Sequence, residues 1–130
     1  ADGPHLKHDV SLPIEAIPDF MTSAEARVRR VCPQVRPFIF GHFGDGNLHY
    51  NLSRPAGEAA DFMAKHGEAI TAEVLDEVAR YGGSISAEHG IGQLKRASFA
   101  KYKSPLELRL MREIKAVFDP AGIMNPGKLL

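Results

Sequence analysis

A chain of 130 residues suits one domain and leaves little room for a second. Its 44% hydrophobic and 25% charged content is that of a globular protein, and 16 basic against 16 acidic residues give a formal net charge of zero, which argues against a dedicated nucleic-acid binder. No run of about eighteen apolar residues is present to span a membrane, the opening ADGPHLKHDV lacks the basic and apolar regions of a signal peptide, and the single Cys32 excludes an internal disulfide, reads as a small buried apolar residue and suits a reducing, cytoplasmic compartment.

The polar opening runs straight into a strand-like segment without an initiator Met, so the sequence is expected to be cut from a longer chain. Leu6 to Leu12 places Leu6, Val10 and Leu12 on alternate positions, the period of a half-buried strand. From Pro13, apolar Ile14, Ile17, Phe20, Met21 and Val28 predict a helix to about Val31, with an interruption expected at Pro18. VCPQVRP is a loop, and FIFGHFGDGNLHYNL predicts two strands around a turn. Between Glu58 and Tyr81 the recurrence of Phe62, Met63, Ile70, Val74 and Val78 predicts a helix that Gly82-Gly83 stops. GSISAEHGIG is a glycine-bounded loop with a short strand at Ser84 to Ala87, and a helix follows from about Leu94 to Tyr102. Ser104-Pro105-Leu106-Glu107 has the form of a capping box opening a last helix to about Phe118, before an irregular tail. Hairpins with a crossing helix predict an α+β class: an antiparallel sheet with flanking helices, in a ferredoxin-like split arrangement.

Asp45-Gly46 signals a two-residue type I′ turn, which requires positive φ at both centres. That register sets Phe43 opposite Leu48 and His42 opposite His49, with side chains on one side and β-carbons about 4.5–5.5 Å apart. Ile39, Phe43, Leu48, Tyr50 and Leu52 then form an apolar face, and His42, Asn47, His49 and Asn51 a polar one. Two imidazoles so placed can grip one divalent ion at about 2.0–2.1 Å. Glu88-His89, in a loop between Gly83 and Gly90, offers a third ligand in Glu88, while His89 points elsewhere in the same cavity as a base. Two imidazoles and a carboxylate suit Zn²⁺ first, with Mn²⁺ or Fe²⁺ also compatible. His5, His8 and His66 read as structural or surface residues.

Taken together, GHFGDGNLHYN, GGSISAEHGIG and FDPAGIMNPGKLL resemble the C-terminal domain of FAD-linked oxidases related to vanillyl-alcohol oxidase, in the D-lactate, glycolate and D-2-hydroxyglutarate dehydrogenase branch. The likeness covers nearly the whole chain, 1–130 as a single C-terminal substrate- and metal-binding domain. It implies that His42, His49 and Glu88 are metal ligands and His89 the catalytic base. By the same likeness Lys7 and Asn51 contact the substrate, and Asn125 lies in the segment approaching the flavin. The FAD itself is then held mainly by an upstream domain that these residues do not include.

The expectation is thus a flavoenzyme part that helps oxidise a small D-2-hydroxy acid to the 2-keto acid. A quinone, a cytochrome or an electron-transfer flavoprotein is equally compatible as electron acceptor. Apolar surface meant for the flavin domain favours self-association into a homo-oligomer. A small metal-dependent hydrolase, with His89 activating water, and a passive cap or assembly module remain open at this stage.

Overall fold

The computed structural model describes residues 5–59 and 61–130, and divides into two compact units at the His89–Gly90 junction. The first unit carries β1 (His5–Ser11), a 3₁₀ turn (Ile14–Ala16), α1 (Ile17–Val31), β2 (Arg36–Phe40), a second 3₁₀ turn (Phe43–Asp45), β3 (Asn47–Ser53) and α2 (Phe62–Arg80). The helix expected from Pro13 is divided just before Pro18: it opens as the 3₁₀ turn and becomes α-helical at Ile17, so Pro18 lies in the first turn of α1, where its missing N–H costs nothing. Gly82-Gly83 ends α2 as expected, with their N–H groups bonded to Ala79 and Val78 carbonyls.

The three strands form one antiparallel sheet in the order β1-β3-β2. An isolated bridge sets Ser84 antiparallel to Ser11 on the outer side of β1. The neighbour order Ser84 segment, β1, β3, β2 is that of a split βαβ sheet whose fourth strand is reduced to one bridge, which accords with the expected α+β class.

Period two sorts the sheet into two faces. Leu48, Tyr50 and Leu52 of β3 and Val10 of β1 are buried under the helices, against Phe20, Ala24 and Val28 of α1 and Ile70, Val74 and Val78 of α2. The spacing of those helical residues is why each helix turns one stripe inward. Each fully buried aliphatic side chain of this kind contributes roughly 2 kcal/mol of transfer free energy. Phe20 meets Tyr50 edge-on at 5.7 Å. His8 also belongs to this core: its ring is bonded to the Tyr50 carbonyl at 2.8 Å and the Thr71 hydroxyl at 3.0 Å, so it is a satisfied structural histidine. His66 rests on Phe62 within α2, and Cys32 is buried and free.

The two helices are locked by a charge network at Glu77, which is fully buried. Ser23 and Arg27 of α1 and Arg80 of α2 all donate to its carboxylate, the two arginines at 2.9 and 2.6 Å. Burial alone would raise the Glu77 carboxyl, but the Ser23 and Arg27 hydrogen bonds and the neighbouring arginine charges outweigh it and hold the group below its ordinary range.

The second unit, Gly90–Leu130, carries α3 (Arg96–Tyr102) and α4 (Pro105–Phe118). The expected capping box opens α4: the Ser104 hydroxyl accepts from the Glu107 N–H, and the Glu107 carboxylate accepts from the Ser104 N–H. Lys103, then Ser104, hold the Glu107 carboxyl down to about 2. At the other end the Asp119 carboxylate accepts from Lys115 and from the N–H groups of Ile123 and Met124, which folds the tail back. Among the described residues no helix is long and apolar enough to cross a membrane.

Arg27→Met removes one of two cations from a buried carboxylate and is expected to cost about 2 kcal/mol. A group whose folded value is lowered stabilises above its unfolded value and loses that contribution as pH falls through the folded one. Chemical denaturation of both proteins is therefore expected to show the largest deficit near neutrality, narrowing as pH drops below the ordinary carboxylate range.

Candidate metal and substrate site

The face of the sheet away from the helices carries the polar half of the alternation. Ladder pairing sets its residues in rows: Ser11 beside Asn47, then Asp9–His49–Phe40, then Lys7–Asn51–Phe38, then His5–Ser53–Arg36. Successive rows are two residues apart, about 6.7 Å along the strand.

The hairpin differs from the expected register by two residues. Phe40, not His42, stands opposite His49. The chain leaves the ladder at Gly41 and closes a 3₁₀ turn over Phe43–Asp45, with Asp45 and Asn47 N–H groups both donating to the His42 carbonyl. Only Gly46 of the Asp45-Gly46 pair has positive φ, at 77°, so the turn is not type I′, which needs both residues there. A β-carbon at Gly46 would run into the Leu12 backbone carbonyl, and the Leu12 N–H donates to the Gly46 carbonyl at 2.9 Å, which ties this turn to the end of β1. A two-residue shift preserves parity, so His49, Asn47 and Asn51 keep the polar face expected of them. Phe43, expected on the apolar strand face, is instead in the 3₁₀ turn and exposed.

His42 reaches the site from that loop. Its Nδ1 is 3.3 Å from Glu88 Oε1, and Asn47 Nδ2 donates to the same oxygen at 3.3 Å. The residue that brings Glu88 there is Asp9, which belongs to none of the sequence motifs. Asp9 is 4% exposed, and its Oδ2 accepts the backbone N–H groups of Glu88 at 3.0 Å and His89 at 2.8 Å. The Ser11–Ser84 bridge and an Ala87 N–H bond to the Asp9 carbonyl at 3.3 Å align the same segment along β1. Asp9 also faces two rings: Oδ1 lies 3.9 Å from His49 Nδ1 and Oδ2 lies 3.5 Å from His89 Nδ1. The His49 and His89 rings stack at 5.7 Å with 28° between planes, and Phe40 flanks His49 at 5.0 Å.

Asp9, His49 and Glu88 each offer one ligand atom, all within 4.8 Å of one another, a spacing that a single divalent ion can bridge with modest side-chain adjustment. The donor set of imidazole and carboxylate fits such an ion. Lys7 and Asn51 lie one row further and line a cavity of about 430 Å³ on the same face. Asn125 lies in the second unit at φ 48°, a left-handed conformation that asparagine tolerates, and its carbonyl accepts the Lys128 N–H. Asp9 had one available signal: alternation places it on the polar face, between the two positions Lys7 and Ser11.

Comparison with known proteins agrees with the likeness in the motifs. The family described as FAD linked oxidases, C-terminal domain, matches residues 1–129. A protein named D-2-hydroxyglutarate dehydrogenase from Stutzerimonas stutzeri is 42% identical over 95% of this chain and 26% of its own length. The mitochondrial D-2-hydroxyglutarate dehydrogenase of Bos taurus is 38% identical over 99% of the chain and 22% of its own length. A D-lactate dehydrogenase of Anaerostipes hadrus is 36% identical over 93% and 25%. The chain thus spans about a quarter of the length of the curated relatives it matches.

Asp9→Ala deletes the acceptor for two consecutive amides and is expected to destabilise the unit by about 2–3 kcal/mol. Amide hydrogen exchange followed by NMR is expected to show Glu88 and His89 losing protection in this variant while Ser84, bonded to the Ser11 carbonyl, keeps it. Asp9→Asn retains an acceptor oxygen and is expected to preserve most of the protection.

Proposed function

Since the chain belongs to the C-terminal domain family of FAD-linked oxidases, we propose that it is the substrate- and metal-binding part of a larger flavoenzyme that oxidises a D-2-hydroxy acid to the 2-keto acid. The observation that carries this is the convergence of His49, Glu88 and His89 on Asp9 at one open sheet face, with His42 meeting Glu88 from the hairpin loop outside the Asp9–His49–Glu88 group, beside a cavity lined by Lys7 and Asn51. The names of the relatives support the substrate class.

In this reading His49, Glu88 and the loop-borne His42 hold a divalent ion, with Zn²⁺ preferred and Mn²⁺ or Fe²⁺ compatible with the same donors. When bound, the ion supplies Lewis-acid polarisation of the substrate's oxygens. Asp9 is assigned to positioning because its Oδ2 is already engaged by two backbone N–H groups. Its carboxylate beside His89 Nδ1 favours the tautomer protonated there, which leaves Nε2 to accept the 2-hydroxyl proton. Lys7 sets a positive point charge for the substrate carboxylate, and the Asn51 amide orients the substrate's oxygens from the adjacent position.

The family name implies FAD. The residues fit a supporting part: exposed Phe38 and Phe40 beside the polar cluster offer a surface for a planar ring. Among the described residues no glycine-rich turn joins a strand to a helix N-terminus, where a dinucleotide's pyrophosphate would rest, so an upstream FAD domain is the proposed partner. Asn125 is the proposed flavin contact from the second unit. When bound, the flavin accepts the hydride from the substrate's C2.

In the full-length protein, His89→Asn is expected to lower kcat by about a hundredfold or more while metal content, read by elemental analysis, is retained. His49→Ala is expected to lower metal content and activity together. Unchanged turnover in the first variant, or unchanged metal in the second, contradicts the assignment.

A further inference from the structure

The cavity beside the candidate metal cluster extends past the Lys7–Asn51 row to the His5–Ser53–Arg36 row. Two cations therefore line it from opposite edge strands, Lys7 on β1 and Arg36 on β2, one row apart. Neither side chain has a hydrogen-bond or ion-pair partner among the described residues, and no Asp or Glu is among the described residues that line the cavity. His5 Nδ1 and the Ser53 hydroxyl are bonded to each other at 2.9 Å, which fixes the floor of the far row between the strands. Phe38 and Phe40 supply an apolar wall on the β2 side.

One substrate carboxylate would engage one of these cations. Two cations in one cavity, neither paired among the described residues, provide for two anionic groups. Taking the proposed function as its premise, we infer that the Arg36 end is a second anion subsite, and that it selects 2-hydroxy acids carrying a distal carboxylate over monocarboxylic ones. His49 and Ser53 are four residues apart on β3, roughly 13 Å along the strand. The Arg36 side chain can span part of that distance toward a substrate whose hydroxyl end sits at the histidines. A guanidinium suits this position because its planar fork pairs with a carboxylate through two parallel N–H bonds. The cavity volume of about 430 Å³ leaves room for a dicarboxylate.

The test uses the full-length protein with D-2-hydroxyglutarate and D-lactate as substrates. Arg36→Gln is expected to lower the ratio of kcat/KM for D-2-hydroxyglutarate to that for D-lactate by about tenfold or more, and Arg36→Lys to recover part of it. A ratio that stays the same in Arg36→Gln overturns the subsite. Calorimetry with glutarate and butyrate, which lack the reacting hydroxyl, separates this inference from the proposed function, because it needs no turnover. Glutarate binding that weakens in Arg36→Gln while butyrate binding changes less supports the subsite even in a protein that oxidises neither acid, an outcome that would sink the dehydrogenase reading alone. Equal effects on both ligands overturn it. Arg36 is exposed on an edge strand, so both variants are expected to fold, as a thermal melt of each verifies.

Discussion

A single carboxylate oxygen, Asp9 Oδ2, accepts two consecutive backbone N–H groups from a segment nearly eighty residues away, and the assembly of the candidate site rests on that contact. The Ser11–Ser84 bridge and a longer bond from Ala87 to the Asp9 carbonyl align the same segment along β1. With the Asp9 contact, Glu88 is brought beside His42 and Asn47, and His89 stacks on His49. Bonds to a charged acceptor are roughly twice as strong as neutral ones, and the near-complete burial of Asp9 keeps water from competing for them.

The sheet divides structural and chemical tasks between its faces. The helix-facing side takes Val10, Leu48, Tyr50 and Leu52, and even its histidine, His8, spends both ring nitrogens on the fold. The open side collects Lys7, Asp9, His49, Asn51 and Arg36 in rows set by strand pairing. The Glu77 network fixes α1 against α2 underneath, so the strands that carry these rows stand on a rigid layer. A ligand-binding surface mounted on paired strands is held more exactly than one built from loops alone. His42 and Glu88 are the loop-borne members, and each is tied to a strand through backbone hydrogen bonds.

Much of this was legible from periodicity. The alternation of β3, the helical spacings ending at Val31 and before Gly82, and the capping box at Ser104 all follow from local chemistry, and the structure has them. The hairpin register was not, because a Asp-Gly pair signals a tight turn only if both residues take positive φ, and here Asp45 is drawn into a 3₁₀ turn that the Leu12 backbone secures from outside the hairpin. Asp9 was missed for a related reason. Its partners are main-chain amides 79 and 80 residues on, which leave no trace in side-chain spacing. Arg36 reads in sequence as one more loop-edge cation, and only the ladder places it on the same sheet face as Lys7, across β3 from it.

In the proposed centre the Asp9-held segment and the hairpin join in holding one divalent ion. X-ray absorption at the edge of the metal bound to the full-length protein reads its ligands. Nitrogen and oxygen neighbours with the multiple-scattering signature of imidazole, weakened when His49 is replaced, are expected. A shell containing sulfur, or one with no imidazole contribution, would contradict this centre.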